Sequence, residues 1–79
     1  MIGMVKIPSQ MPELPMPVLK AIFKKVGDKV GMGDVLFAYE SDGAVLEETA
    51  AIMGTVIASF FKPGDSVSEG TPVLAVNEG

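Results

Sequence analysis

Apolar and polar positions alternate in short runs along most of this chain, and Gly or Pro breaks the pattern at close intervals. The stretches 3–8, 18–24, 34–40, 44–50, 55–61 and 72–77 are dominated by aliphatic, β-branched and aromatic residues, the composition of pleated strands. Between them stand Gly27-Asp28, Gly31, Gly33, Asp42-Gly43, Gly64-Asp65 and Gly70, residues that supply positive φ or bond their own backbone in turns. Asp42-Gly43 predicts a two-residue hairpin loop joining 34–40 to 44–50. A helical pattern survives Gly and Pro interruption only over 34–42 and 44–53. "AVLEETAAIM" has helix propensity, but the tight turn before it and its β-rich surroundings assign it to a strand. Residues 9–17, "SQMPELPMP", carry three prolines and predict a stiff, extended loop.

The strands are organised as two copies of one unit. "KAIFKKVGDKVGMGDVLFAYE", from Lys20, aligns without gaps to "IASFFKPGDSVSEGTPVLAVN", from Ile57, at an offset of 37. Ala21, Phe23, Lys25, Gly27, Asp28, Val30, Gly33 and Ala38 meet their own kind at Ala58, Phe60, Lys62, Gly64, Asp65, Val67, Gly70 and Ala75. Each copy reads as strand, Gly-Asp turn, short strand, second turn, strand. Two copies are too few for a solenoid, so two related halves closing on one another are expected. Short strands at regular spacing predict an all-β sandwich or barrel.

Composition narrows the function. The chain of 79 residues is expected to form one domain over 1–79, and it has no cysteine with which to brace a small core. Its 48% apolar residues can fill that core without one. A net charge of −4, with six basic residues in all, argues against nucleic acid, which calls for a basic stripe. No apolar run is long enough to span a membrane, and the opening "MIGMVKIPSQ" lacks a signal-peptide layout; a cytoplasmic location is expected. With no Cys and no His, Ser9, Ser41, Ser59, Ser66 and Ser68 have no identifiable activating partner, so an enzyme is not expected. Glu40, Asp42, Glu47 and Glu48 are too sparse for an oxygen-ligand metal site. Alternation also sends Glu47 and Glu48 to opposite faces.

Two stretches carry a resemblance. "KKVGDKVGMGDVLFAYESDGA" is similar to the lipoyl pattern KxGDxVxxGDxLxxxETDKA, and "MGTVIASFFKPGDSVSEGTPVLAV" resembles the second half of the same domains. The chain thus resembles the biotinyl/lipoyl carrier-domain family from about Val5 to Val76. The resemblance implies a flattened β-barrel of two four-stranded antiparallel sheets with quasi-two-fold symmetry. It also implies a hairpin tip where a lysine is amide-linked to lipoate or biotin.

At that tip, Glu40, Ser41, Asp42 and Ala44 fit the family's turn, but the lysine position holds Gly43. Glycine has no side-chain nitrogen, so no covalently bound cofactor is expected. The methionines that flank a biotinyl lysine are missing as well. In the 9–17 loop, Met11 and Pro17 stand at the family's glycine positions and Met16 at its acidic one. The family places this loop beside the tip, so Met11, Leu14 and Met16 are candidate partner-binding residues, as is Met53 at a family position that is often polar. Exposed apolar patches mark partner surfaces; the competing expectation is that the loop folds back and seals the barrel.

The resemblance therefore implies a non-catalytic module that docks within a 2-oxo-acid-dehydrogenase-like complex. The alternative is a lipoyl carrier domain of an acyltransferase component whose lysine was lost by engineering or drift. A membrane-fusion or transporter-adaptor fragment ranks third, because 39–48 leaves no room for the helical hairpin that splits such barrels. Lys6, Lys20, Lys24, Lys25, Lys29 and Lys62 read as solvated surface.

Overall fold

The computed structural model describes residues 1–9 and 15–79. Seven strands form: β1 (Ile2–Lys6), β2 (Val18–Ile22), β3 (Lys29–Val30), β4 (Val35–Ser41), β5 (Ala44–Thr49), β6 (Gly54–Ser59) and β7 (Pro72–Asn77). The stretch 44–49 is strand, as its turn and neighbours predict, and no helix occurs among the described residues. All pairings are antiparallel: one sheet runs β1-β7-β6-β3, the other β2-β4-β5.

The expectation of two four-stranded sheets needs correcting. The short strand of the second copy is reduced to a single bridge, Val18 to Ser66, where the first copy makes the two-residue strand β3. The sheets also do not close into a barrel. The edge strands β1 and β5 leave a shallow cleft of about 140 Å³, lined by Met4, Val5, Lys6, Glu48, Thr49, Ala51 and Ile52. Both corrections have one cause: closure depends on edge pairing between segments far apart in the chain, which local composition does not report.

The two-fold relation between halves is written in the hydrogen bonds. Gly27 N–H donates to Val56 O and Val56 N–H to Asp28 O; Gly64 N–H donates to Leu19 O and Leu19 N–H to Asp65 O. Each bond maps onto its counterpart at the sequence offset, so each Gly-Asp turn clasps the strand of the opposite half. The turns are built alike. Asp28 Oδ2 accepts from Lys25 N–H at 2.8 Å and Asp65 Oδ2 from Lys62 N–H at 3.0 Å. Gly27 and Gly64 take φ of 97° and 98°, left-handed values that an L side chain rarely adopts. The bulges match too, between Leu19 and Ala21 in β2 and between Val56 and Ala58 in β6.

Inward residues of both sheets make one core, with Ile7, Leu19, Leu36, Phe37, Tyr39, Val56, Val73, Leu74 and Val76 almost wholly shielded from water. Side chains of this size each contribute about 1.5–3 kcal/mol on burial. The central strands β4 and β7 supply most of them, which is why these two strands read as near-continuous apolar runs. At the bend before β4, Gly31 N–H and the Lys24 ammonium hold the Asp34 carboxyl below the usual range, the backbone donor contributing most.

Candidate functional site

The β4–β5 hairpin presents its tip to solvent. Ser41 pairs with Ala44, leaving Asp42 and Gly43 as the two-residue loop. Their φ values are 52° and 80°, positive at both positions, the turn whose twist matches a hairpin's strands. Asp tolerates that conformation and Gly adopts it freely, so this dipeptide folds here for local reasons. Both residues are exposed, and a Cβ built on Gly43 would meet nothing within 4 Å. The apex is open space.

Beneath the tip, Ser41 is buried and its Oγ donates to Pro15 O at 2.7 Å. That bond ties the end of the proline-rich loop to the hairpin at Pro15. The neighbouring Met16 is 90% exposed and holds φ at 44°. A left-handed non-glycine residue costs about 1–2 kcal/mol, so the surroundings hold Met16 outward against its own preference. Ser41→Ala is expected to lower stability by about 1 kcal/mol, read by urea denaturation. It should also raise hydrogen exchange at Asp42 and Gly43; an unchanged tip would show that the loop is held by other means.

The two candidate partner residues that the structure describes, Met16 and Met53, do not share a patch. Met16 stands at the hairpin end, Met11 and Leu14 lie outside the described residues, and Met53 is elsewhere. Met53 is 63% exposed and leads into β6 at the end of the sheets where Asn77, Ile2 and Thr55 meet. At the sequence offset, Met53 is the counterpart of Met16, so the two-fold relation carries it to the opposite end of the molecule.

Charges near the tip are spoken for or solvated. Lys20 Nζ lies 3.6 Å from Glu40 Oε2 across β2 and β4, both side chains roughly half exposed. Lys24 bonds Lys29 O and pairs with Asp34 at the far end of β4. Lys62 belongs to the turn clasped on Leu19, opposite Tyr39. No described residue at the tip carries an amine. Among the described residues, no three carboxylates, histidines or cysteines come together as a metal site, and no helix is long and apolar enough to cross a membrane.

Glu48, weighed from sequence only among carboxylates too sparse to hold a metal, has the one carboxyl among the described residues whose pKa is raised. It lines the cleft between β1 and β5, and burial there pushes its pKa up. An acid raised in the fold adds stability while protonated, and that stability is lost as pH rises through its folded range. Glu48→Gln should therefore match the parent in acid and exceed it in stability at neutral pH. Thermal melts between pH 4 and 7 check this, and parallel curves across that range would refute it.

Comparison with known proteins places this architecture. The sequence pattern of the Biotin_lipoyl family, described as biotin-requiring enzyme, matches residues 4–76. Among solved structures, the lipoyl domain of the 2-oxoglutarate dehydrogenase complex from Azotobacter vinelandii superposes with a TM-score of 0.75 at 25% identity. The match covers 95% of this chain and 98% of that domain. No curated protein sequence matches the chain.

Proposed function

The chain belongs to the biotin/lipoyl family, and from that premise we propose that it is a lipoyl-type module without a covalent cofactor. It serves as a docking or structural part of a 2-oxo-acid-dehydrogenase-type complex in the cytoplasm. The observation that carries this reading is Gly43 at the open apex of the hairpin. A lipoyl or biotinyl group held by an amide needs a primary amine there, and the residues present do not fit it. Lys20, the lysine of the hairpin's own sheet, is engaged by Glu40 within the strands rather than raised on a turn.

What the tip offers instead is a shaped surface. Asp42 and Gly43 stand clear of the sheet, and Met16 is propped outward beside them by the Ser41–Pro15 bond. Methionine suits such a contact because its unbranched, polarizable side chain adapts to irregular partners. Purification from cells with active lipoate and biotin ligases, followed by intact-mass measurement, tests the reading. The expected result is the unmodified mass, and an added lipoyl or biotinyl group refutes it.

A second reading, a carrier domain that has lost its lysine, is favoured by the empty space around Gly43, which admits a side chain. It differs in what a lysine restored at that position would do.

A further inference from the structure

The aspartates of this chain are not held alike. Asp28 and Asp65 each accept a backbone N–H through Oδ2, and Asp34 accepts from Gly31 N–H while facing the Lys24 ammonium. No hydrogen bond or ion pair with another described residue holds the Asp42 carboxyl. The residues that follow differ as well: Lys29, Val35 and Ser66 after the three held aspartates, Gly43 after Asp42. A side chain on the following residue crowds its own backbone nitrogen. Gly43 has none, and both residues are exposed.

A free carboxyl beside an uncrowded nitrogen can react with it. The Gly43 nitrogen attacks Cγ of the neutral Asp42 side chain and an N–Cγ bond forms. The proton lost by the nitrogen and the hydroxyl lost by the carboxyl leave as water, closing a five-membered succinimide. Water then adds back at either ring carbonyl. Opening the N–Cγ bond restores aspartate; opening the bond to the α-carbonyl leaves isoaspartate, whose main chain runs through Cβ. One water is lost and one regained, so nothing is oxidised or reduced.

The hairpin blocks the first of these steps. Positive φ at both loop positions, 52° and 80°, makes the turn type I′, in which ψ at the first position is about 30°. On an L residue that ψ sets Cβ about 150° from the next nitrogen around the Cα–C bond, nearly opposite to it. Ring closure needs the two eclipsed. The peptide unit between Asp42 and Gly43 must therefore turn over, and that breaks the pairing of Ser41 with Ala44. Ser41 resists, because it is buried and its Oγ is bonded to Pro15 O.

We propose that Asp42-Gly43 is a gated site of isoaspartate formation, shut while the hairpin is paired and open whenever the tip unpairs. The mark outlasts the opening that made it. With Cβ inserted into the main chain, the two-residue turn cannot close again as it was. The tip thus keeps a chemical record of having opened, whatever does or does not bind there.

Side-by-side incubation of the parent, folded and in guanidinium, in one mildly acidic buffer tests the proposal. Isomerisation leaves the mass unchanged, so the readout is labelling by an isoaspartyl methyltransferase with S-adenosylmethionine, placed by electron-transfer fragmentation. The unfolded chain should gain isoaspartate at position 42 ahead of every other aspartate, and the folded parent should gain it about tenfold more slowly or less. Folded Ser41→Ala should be labelled faster than the parent. Gly27→Ala, weakened to a similar degree in a turn clasped on β6, should not. Equal labelling of folded and unfolded parent, or none in the unfolded chain, overturns the proposal. So does a Ser41→Ala chain no faster than the parent, or an equal rise in both variants, which would mean that only whole-chain unfolding exposes the bond. Should Ser41→Ala fail to fold, a guanidinium series on the parent decides. Labelling that rises below the unfolding transition supports a local gate, and labelling that rises only with unfolding refutes it. None of these readouts depends on a cofactor or a partner.

Discussion

A lipoate ligase supplied with lipoic acid and ATP is expected to leave the Gly43→Lys variant unmodified, although that variant folds and carries an amine at the apex. The space is open, since a Cβ at Gly43 meets nothing within 4 Å. The backbone is the difficulty. Position 43 sits at φ 80°, so lysine there bears about 1 kcal/mol of strain or shifts the turn toward another geometry. Beside it, Met16 and Pro17 stand where the family resemblance calls for an acidic residue and a glycine, and the Ser41–Pro15 bond fixes that departure against the hairpin. A ligase that reads the tip together with its flanking loop then meets an amine on the wrong surface. Adding Met16→Glu and Pro17→Gly to the lysine variant should bring modification back. The readout is intact mass and is all or none. Full lipoylation of the single variant would mean that the chain is a carrier short of one residue, and the docking reading would fall.

Gly54→Ala is expected to be the most damaging of the small substitutions, at about 3 kcal/mol or more. An added Cβ would collide with the backbone carbonyl oxygen of Asn77, with its carbonyl carbon 2.8 Å away and Val76 Cγ1 at 2.9 Å. Backbone cannot swing aside as the end of a long side chain can, so β6 and β7 would have to separate at the start of their pairing. A domain of this length has about 4–12 kcal/mol in total, and the melting temperature should fall by about 12–24 °C. Gly27→Ala is the comparison. Its Cβ meets open space, and only its φ of 97° is unfavourable, so about 1 kcal/mol is expected. Urea denaturation of the pair checks the ranking. If Gly54→Ala proves no worse than Gly27→Ala, the close approach of β6 to Asn77 is not as described.

The fold was legible in the sequence wherever its cause is local. The Gly-Asp turns appear at their expected places because Gly27, Gly64, Asp28 and Asp65 satisfy conformational needs within four residues. The hairpin at Asp42-Gly43 is a local matter in the same way, and the strand 44–49 followed from it. Strand ends were less legible. The run predicted over 18–24 stops at Ile22, and that over 55–61 stops at Ser59; one more backbone bond follows each, Phe23 N–H to Leu36 O and Phe60 N–H to Val73 O, and the chain then turns away while the β-favouring composition continues. For the candidate site, the missing amine needed only the alphabet of side chains, but the grouping of the methionines did not follow from their types. Met16 and Met53 are both exposed methionines, yet the two-fold relation sets them at opposite ends.

By itself, then, the sequence determined the turns, the duplicated unit, the alternation that makes both sheets, and the chemistry available at position 43. Each of these depends on backbone preference or side-chain identity, which a residue carries wherever it is placed. Tertiary structure alone decided that Ser66 makes one bridge where β3 makes a strand, and that β1 and β5 stay apart around Glu48. It also decided that Gly54 must be glycine because of Asn77. Those outcomes turn on which distant segments meet, and such relations exist only once the chain has closed on itself.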